Sequence, residues 1–178
     1  MAQGRRRMPG FTLWELLIVL AIAAVLAALA APTFATVVRE ARMSSAANQL
    51  LGALHFARSE AILRGVPTVV CLTGPSGECL EHAGESAHGW LVFHDVVRGS
   101  RVRQDDADIP LRRVELPELV RVSGTRSAVT YWPVSRAGTT GTFRLCHLRG
   151  AARERAVVVS RNGRPRVELA AEGTECGG

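Results

Sequence analysis

The first third of the chain contains a long apolar run without charge. From Leu16 to Val38 there is no charged residue over 23 positions. At about 1.5 Å of rise per residue, a helix of this length spans the roughly 30 Å of a bilayer core. The pattern therefore predicts that residues 11–38 form a helix that crosses a membrane.

Beyond Val38 the apolar positions recur with helical spacing. They fall at Ala47, Leu50, Leu54, Ala57 and Ala61. Steps of three and four residues place these side chains on one face of a helix. Gly65 and Pro67 then supply a stop signal. We therefore expect the helix to continue through residues 39–65 as an amphipathic half that packs on a globular domain.

After Pro67 the pattern changes to short β-branched and aromatic runs separated by turn residues. The predicted strands are Pro67–Thr73, His88–Val97, Leu119–Val122, Ala128–Trp132, Gly141–His147, Arg155–Ser160 and Arg166–Ala170. Strands that follow a single long helix indicate an α+β fold in which antiparallel sheets pack on that helix. Residues 66–178 are therefore predicted to form a β-rich globular domain.

The last predicted hairpin contains a group of arginines. Asn162-Gly163 lies between two β-branched runs and predicts a type I′ turn. Arg161 precedes the turn, and Arg164 and Arg166 follow it. Because side chains two residues apart in a strand lie on the same face, the guanidinium groups of Arg164 and Arg166 should project together.

Such an arginine pair suits neighbouring phosphate groups, because each guanidinium donates two parallel hydrogen bonds. Pro165, between the two arginines, favours an edge strand. The alternative is a solvated hairpin whose arginines keep the sheet edge from aggregating. The residues by themselves leave both interpretations open.

The charge distribution adds to the case for an anionic partner. All 22 basic residues are arginine, and the net charge is +6. A GC-rich genome would explain the arginine bias without any function. However, residues 121–178 hold ten arginines and four acidic residues, so the positive charge is concentrated in the last third. Further arginines that could extend a basic surface are Arg136, Arg144, Arg153 and Arg155.

The four cysteines are Cys71, Cys79, Cys146 and Cys176. An even number beside an export signal suggests disulfides in an oxidising compartment. Three connectivities are possible, and the sequence does not choose among them. We favour Cys71–Cys79, which closes a short turn-rich loop, and Cys146–Cys176, which would tie the C-terminal tail to the sheet.

No catalytic, metal or cofactor motif stands out. The chain shows neither a nucleophile–base motif nor a phosphate-binding glycine loop, so we expect no enzyme and no cofactor. A zinc site at Cys79, His82 and His88 is disfavoured because no C-x-x-C pair exists. Asp105, Asp106 and Asp108 lack the regular spacing of a calcium loop and are expected to form a solvated turn.

The residues before the apolar run indicate how the chain is processed. Three arginines at positions 5–7 favour a cytoplasmic location for the leader, residues 1–10. Pro9 and Gly10 break helical structure and leave the peptide bond before Phe11 accessible. The alternative is an ordinary secretory signal cleaved after the apolar run. The length of that run and the glutamate near its start, Glu15, argue against this alternative.

Glu15 requires an explanation because a carboxylate in the bilayer centre costs about 2.5–3.5 kcal/mol. A positive group beside it would offset this cost. Cleavage between Gly10 and Phe11 would create such a group, the new α-amino group.

Residues 10–32, G-F-T-L-W-E-L-L-I-V-L-A-I-A-A-V-L-A-A-L-A-A-P, resemble the class III leader junction of type IV pilins and type II secretion pseudopilins. The resemblance implies a pilin-like fold, cleavage after Gly10 by a prepilin peptidase and N-methylation of Phe11. It further implies that Glu15 pairs with the N-terminal amine of a neighbouring pilin in a filament. Trp14 departs from the usual aliphatic residue. The expected location is the inner membrane, crossed once, with the C-terminal domain in the periplasm.

Shorter motifs resemble the FimT/GspH family of minor pilins and pseudopilins. They include Ala57-Arg58-Ser59-Glu60-Ala61, Gly89-Trp90 and Gly163-Arg164-Pro165-Arg166. In the FimT branch a Gly-Arg-x-Arg motif is associated with DNA binding in natural transformation. The resemblance thus implies a pilus subunit at the cell surface that binds double-stranded DNA through phosphates, with Arg161, Gly163, Arg164 and Arg166 at the site. The alternative, the GspH branch, implies a structural pseudopilin without DNA binding. The basic last third of the chain favours the FimT branch.

The proposed role of Glu15 leads to a first prediction. Glu15→Ala should leave leader cleavage largely intact, because the cleaved bond lies outside the apolar run, yet impair incorporation into filaments. Immunoblots would follow the loss of the leader, and sheared filament fractions would measure incorporation. Normal incorporation of the variant would contradict the pairing of Glu15 with a neighbouring amine.

Overall fold

The structure is a computed structural model that describes residues 12–96, 103, 108–134, 138–149 and 152–170, except for the side chains of residues 31–33. Several residues with predicted roles lie outside the described part of the chain: Gly10, Phe11, Asp105, Asp106, Arg136 and Cys176.

A single helix, α1, runs from Leu13 to Arg64. At its start the hydroxyl of Thr12 accepts a hydrogen bond from the N–H of Glu15 at 3.3 Å, and the Glu15 carboxylate accepts one from the N–H of Thr12 at 2.9 Å. This reciprocal arrangement is a capping box. At the other end, Gly65 adopts a φ of 69° and its N–H donates to the carbonyl of Ala61 at 3.1 Å, which closes the last turn.

The chain divides into two compact units, one up to Val38 and the other from Arg39 onward. In the first unit, apolar side chains of α1 such as Leu20 and Leu26 are exposed. Within the described part of the chain, α1 is the one helix long and apolar enough to cross a membrane. The exposed apolar surface agrees with the sequence pattern.

The second unit contains eight strands. They are β1 (Thr68–Thr73), β2 (Gly89–His94), β3 (Ile109–Glu115), β4 (Val120–Gly124), β5 (Ala128–Tyr131), β6 (Gly141–His147), β7 (Arg155–Val159) and β8 (Pro165–Leu169). They form two four-stranded sheets, ordered β3-β2-β1-β5 and β4-β6-β7-β8. Neighbouring strands pair antiparallel in both sheets, so the α+β prediction is confirmed.

One hydrophobic core joins the helix to both sheets. The helix contributes Met43, Ala46, Ala47, Leu50, Ala53, Leu54, Ala57 and Ala61. The first sheet adds residues such as Trp90 and Val92, and the second adds residues such as Phe143 and Val157. All five predicted stripe positions are fully buried, so the predicted amphipathic face is confirmed.

Each of the seven predicted strands corresponds to an observed strand, but β3 was not predicted. Its burial pattern is largely exposed, and it lies at the edge of the first sheet beside β2. Pro110, Arg112 and Arg113 interrupt the apolar alternation that identifies a half-buried strand. The pairing with β2, a long-range contact, therefore determines this element.

A disulfide joins Cys71 to Cys79, one of the two pairings that the sequence favours. This bond removes Cys79 from the zinc alternative, because a disulfide sulfur is not a thiolate ligand. Cys146 lies buried in β6, and its pairing with Cys176 remains a prediction. Asp108 is buried and accepts a hydrogen bond from the N–H of Val96 at 3.0 Å. The expectation of a solvated turn is therefore wrong for Asp108.

The shared core leads to a second prediction. Leu50→Ala should lower the free energy of unfolding by roughly 3–5 kcal/mol, because it leaves a cavity where helix and sheets meet. Urea titration monitored by circular dichroism would measure this loss. Leu63→Ala, on the same helix but 77% exposed, is the control and should change stability by less than about 0.5 kcal/mol. Equal effects of the two substitutions would refute the assigned core face.

Candidate nucleic-acid interface

The arginine-bearing hairpin joins β7 to β8 through a three-residue loop. The N–H of Gly163 donates to the carbonyl of Ser160 at 2.8 Å, and the N–H of Ser160 donates to the carbonyl of Arg164 at 3.1 Å. Gly163 adopts a φ of 68°. Arg161 and Asn162 are therefore the central residues of the turn, followed by a left-handed glycine. The predicted two-residue type I′ turn is wrong, because the ladder closes one residue earlier on the β7 side.

The hairpin exposes its arginines and buries the residues between them. Arg161, Arg164 and Arg166 are exposed, whereas Gly163 and Pro165 are buried. This alternation places Arg164 and Arg166 on the same solvent-facing side of the chain. β8 is an edge strand of the second sheet, as Pro165 indicated. The geometry leaves the three guanidinium groups accessible to a large ligand.

Arg166 has an acidic neighbour that the sequence interpretation missed. Its Nε donates a hydrogen bond to the Glu168 carboxylate. The two side chains are 55% and 45% exposed, so the pair lies in solvent. An exposed ion pair contributes little to stability, and a phosphate could replace the carboxylate. The sequence contained the signal for this pair, because Arg166 and Glu168 are two residues apart in a strand and therefore share a face.

Arg144 lies on the same face of the second sheet as Arg166. Arg144 in β6 pairs with Ala156 in β7, and Arg166 in β8 pairs with Val158. Because Ala156 and Val158 are two residues apart, the two arginine side chains project from the same side. From strand spacing and rise, their Cα atoms are about 12 Å apart. This face is opposite to the one that packs on α1.

Arg121 also belongs to this face, since it pairs with Cys146 two residues beyond Arg144. Its Nη1 donates to the carbonyls of Glu118 at 2.8 Å and Val120 at 2.9 Å, so the main chain holds this guanidinium. Burial lowers the pKa of nearby His88, and the positive charge of Arg121 lowers it further. Arg121 was not predicted as part of the surface.

Arg155 does not belong to the exposed face. Arg155 is next to Ala156 in β7, so its side chain projects from the opposite face of the sheet. Its Nη2 lies 3.7 Å from the carboxylate of Glu40 on α1. The N–H of Arg153 donates to the same carboxylate at 2.6 Å. The prediction that Arg155 extends the hairpin surface is therefore wrong: its guanidinium faces the helix. Arg153 is exposed but lies next to Glu40, away from the hairpin turn.

A buried polar relay lies elsewhere in the domain. Thr68 Oγ1 is 3.1 Å from His94 Nδ1, and His94 Nε2 is 3.7 Å from the carboxylate of Glu60. The order of groups resembles a catalytic triad, but Thr68 is fully buried and a substrate has no access to its hydroxyl. The relay instead satisfies polar groups between helix and sheet. Among the residues that the structure describes, no His, Cys, Asp and Glu cluster could hold a metal ion.

Comparisons with known proteins identify the family. Residues 46–163 match the family model for the type II transport protein GspH, and residues 5–31 match the prokaryotic N-terminal methylation motif. The methylation motif implies processing by a prepilin peptidase and assembly with other pilins. A comparison with curated proteins gives no significant match.

Two solved structures are similar to this chain. The minor pseudopilin EpsH of the Vibrio cholerae type II secretion system has a TM-score of 0.52 at 13% identity, covering 76% of this chain and 99% of its own. The type IV minor pilin FimU of Pseudomonas aeruginosa has a TM-score of 0.48 at 20% identity, covering 70% and 91%. At this identity the EpsH match supports the pilin-like fold alone.

The family match extends over about two thirds of the 178 residues. It includes core residues of the helix and of both sheets, and it ends at the hairpin glycine, Gly163. The matched residues include the second part of α1, from Ala46 onward, and strands β1 to β7. The chain therefore belongs to the GspH family of pilin-like proteins.

Proposed function

We propose that this chain is a minor type IV pilin that binds extracellular DNA without sequence specificity for uptake in natural transformation. The observation that carries the proposal is the β7–β8 hairpin, which presents Arg161, Arg164 and Arg166 to solvent at the edge of a sheet. The phosphate backbone of a duplex is the ligand that such a group of guanidiniums fits best.

The geometry favours contacts to phosphates over base readout. The hairpin is short, and its tip is a tight turn of exposed polar residues. It offers neither a helix nor a long ribbon that would enter the major groove deeply. Phosphate contacts position a protein on DNA but carry no sequence information. A subunit that takes up any DNA needs this type of contact.

The hairpin is held against α1, which favours a preorganised site. Arg58 Nη1 in the helix donates a hydrogen bond to the carbonyl of Gly163 at 3.4 Å. Gly163 is buried, whereas Arg161 and Arg164 on either side are exposed. The contact links the last residue of the loop to the helix, which should reduce the entropy lost when the arginines meet a ligand.

The processing and location follow from the N-terminal region in this proposal. The leader is removed after Gly10, Phe11 is N-methylated, and Glu15 pairs with the amine of a neighbouring subunit. Residues 11–38 anchor the subunit in the inner membrane with residues 66–178 in the periplasm, and the subunit is then assembled into a pilus at the cell surface. The capping box keeps the Glu15 carboxylate at the N-terminus of α1, which supports a role for it near the N-termini of the subunits.

A second candidate function is a structural secretion pseudopilin that does not bind nucleic acid. The ion pair between Arg166 and Glu168 favours it, because an arginine already neutralised within the strand is less suited to a phosphate. The family match and the fold agree with both functions. Binding measurements on hairpin variants separate the two.

Replacing the hairpin arginines tests the DNA proposal. Arg164→Ala/Arg166→Ala should weaken binding to a duplex at least about tenfold, because two charge-assisted contacts are lost. Fluorescence anisotropy with a labelled duplex at low salt would measure this change.

The matched control is Arg112→Ala/Arg113→Ala, which removes two exposed arginines from β3 in the other sheet and leaves the hairpin unchanged. It should bind nearly as well as the parent. If the hairpin variant binds as tightly as the parent, the assigned site is wrong. If the parent does not bind at low salt, the pseudopilin function is favoured.

The Arg58 contact generates a separate prediction. Arg58→Met keeps the apolar stem but removes the donor, so the free energy of unfolding should fall by about 1 kcal/mol. Amide hydrogen exchange around Gly163 should accelerate. Arg64→Met is the control, because Arg64 is on the same helix but pairs with Glu60 at the surface. Unchanged exchange in the Arg58 variant would show that the helix does not hold the turn.

A further inference from the structure

A second basic cluster lies at the start of the globular unit, far in sequence from the hairpin turn. Arg39 and Arg42 are three residues apart on α1 and therefore share a helix face. The connection between β6 and β7 brings Arg149 and Arg153 beside them. We name Arg39, Arg42, Arg149 and Arg153 the collar.

Hydrogen bonds and an ion pair fix the β6–β7 connection next to the helix. The Glu40 carboxylate accepts a hydrogen bond from the N–H of Arg153 at 2.6 Å and lies 3.7 Å from Arg155 Nη2. The N–H of Arg149 donates to His147 Nδ1 at 3.3 Å. Two separate segments thus converge at the first helical turns of the unit.

The pKa of the buried His147 imidazole also indicates that the helix arginines and Arg149 lie close together. Burial lowers the pKa of His147, and the positive charges of Arg39, Arg149 and Arg42 lower it further. With Nδ1 accepting from the main chain, the neutral imidazole has its proton on Nε2. His147 therefore adds no charge to the collar near neutral pH.

The guanidinium groups of the collar have no acidic partners among the residues that the structure describes. In the part of the chain that the structure describes, no acidic side chain pairs with the guanidinium groups of Arg39, Arg42, Arg149 or Arg153. Glu40, which follows Arg39 in the chain, pairs instead with Arg155. Arg42, Arg149 and Arg153 are exposed, and Arg39 is half-buried. Such a group of arginines without acidic partners favours an anionic ligand.

The position of the collar in the chain indicates which anionic ligand it meets. Arg39 directly follows the uncharged run that ends at Val38. If that run spans the bilayer core, Arg39 and Arg42 lie at the level of the lipid phosphates. Leu148, directly before Arg149 in the chain, is 56% exposed. An exposed leucine next to an arginine is suited to the boundary between headgroups and acyl chains.

We infer that the collar binds the phosphates of anionic phospholipid headgroups on the outer face of the membrane that anchors the helix. This inference rests on the membrane anchoring in the proposed function, but not on DNA binding. It gives the collar arginines a role distinct from that of the hairpin arginines. Headgroup binding would hold the globular unit against the membrane before the subunit leaves for a filament.

The test uses the detergent-purified full chain and native mass spectrometry. Phosphatidylglycerol, phosphatidylcholine and inorganic phosphate are titrated separately. The parent should retain phosphatidylglycerol at least about tenfold more tightly than phosphatidylcholine, because each arginine near an anionic headgroup adds about a fivefold factor. Arg39→Gln/Arg42→Gln/Arg149→Gln should lose this preference.

The matched control, Arg112→Gln/Arg113→Gln/Arg126→Gln, removes three exposed arginines elsewhere and should keep the preference. Circular dichroism should show the parent fold in both triple variants. An unchanged preference in the collar variant would overturn the inference, as would equal losses in the two variants. Parent binding of inorganic phosphate as tight as that of phosphatidylglycerol would also overturn it, because a free anion would then be the ligand.

Two further measurements separate this inference from the proposed function. The collar variant should bind duplex DNA as the parent does, since the hairpin is unchanged. Displacement of bound phosphatidylglycerol by DNA would instead identify the collar as part of a nucleic-acid surface and overturn the lipid assignment. Retention of the chain in neutral phosphatidylcholine nanodiscs measures the anchoring itself, and loss of that retention would overturn the inference together with the anchoring.

Discussion

The close packing of an alanine-rich helix face against two sheets is the constraint on which the rest of the globular unit depends. Five alanines, at positions 46, 47, 53, 57 and 61, lie fully or almost fully buried on α1. Small side chains allow the sheets to approach the helix closely, and larger residues such as Trp90 and Phe143 fill the space between. Because both sheets use the same face, the helix positions the β6–β7 connection and the β7–β8 hairpin together.

This arrangement gives the two faces of the second sheet different surroundings. The inner face contributes Val157 and Val159 to the core, whereas the outer face displays Arg144 and Arg166. Arg155 shows how strict the separation is: one residue from Ala156, it projects to the helix side and pairs with Glu40. In a strand the position of a charged residue decides whether it stabilises the fold or is available to a ligand.

The sequence predicted those elements whose signals are local. The helix, its buried stripe and seven strands follow from periodicity, and α1 ends at Arg64, directly before the glycine that the pattern marked. β3 was missed because its position depends on pairing with β2 and its own residues are mostly exposed. The predicted turn type was wrong because Asn162-Gly163 alone does not determine at which residues the hydrogen bonds between β7 and β8 end. They end one residue earlier on the β7 side than a type I′ turn requires.

The sequence identified the residues of the candidate site but not the contacts that these residues make with the rest of the domain. Alternation identified Arg164 and Arg166 as neighbours on one face, yet the Glu168 partner and the Arg58 contact to Gly163 emerged only from the structure. The Arg58 contact joins residues 105 positions apart, which no local pattern can indicate. The capping box at Thr12 and Glu15 was not predicted either, although its Thr-x-x-Glu spacing is present in the sequence.

The proposed function requires that the exposed hairpin arginines bind DNA through phosphates alone. The most direct measurement is the affinity of the parent chain for two duplexes of equal length and unrelated sequence over a range of salt concentrations. Three phosphate contacts predict that log affinity falls linearly with log salt concentration, with a slope of about −2.7 for both duplexes. A slope near zero, or a large difference in affinity between the two sequences, would contradict the claim.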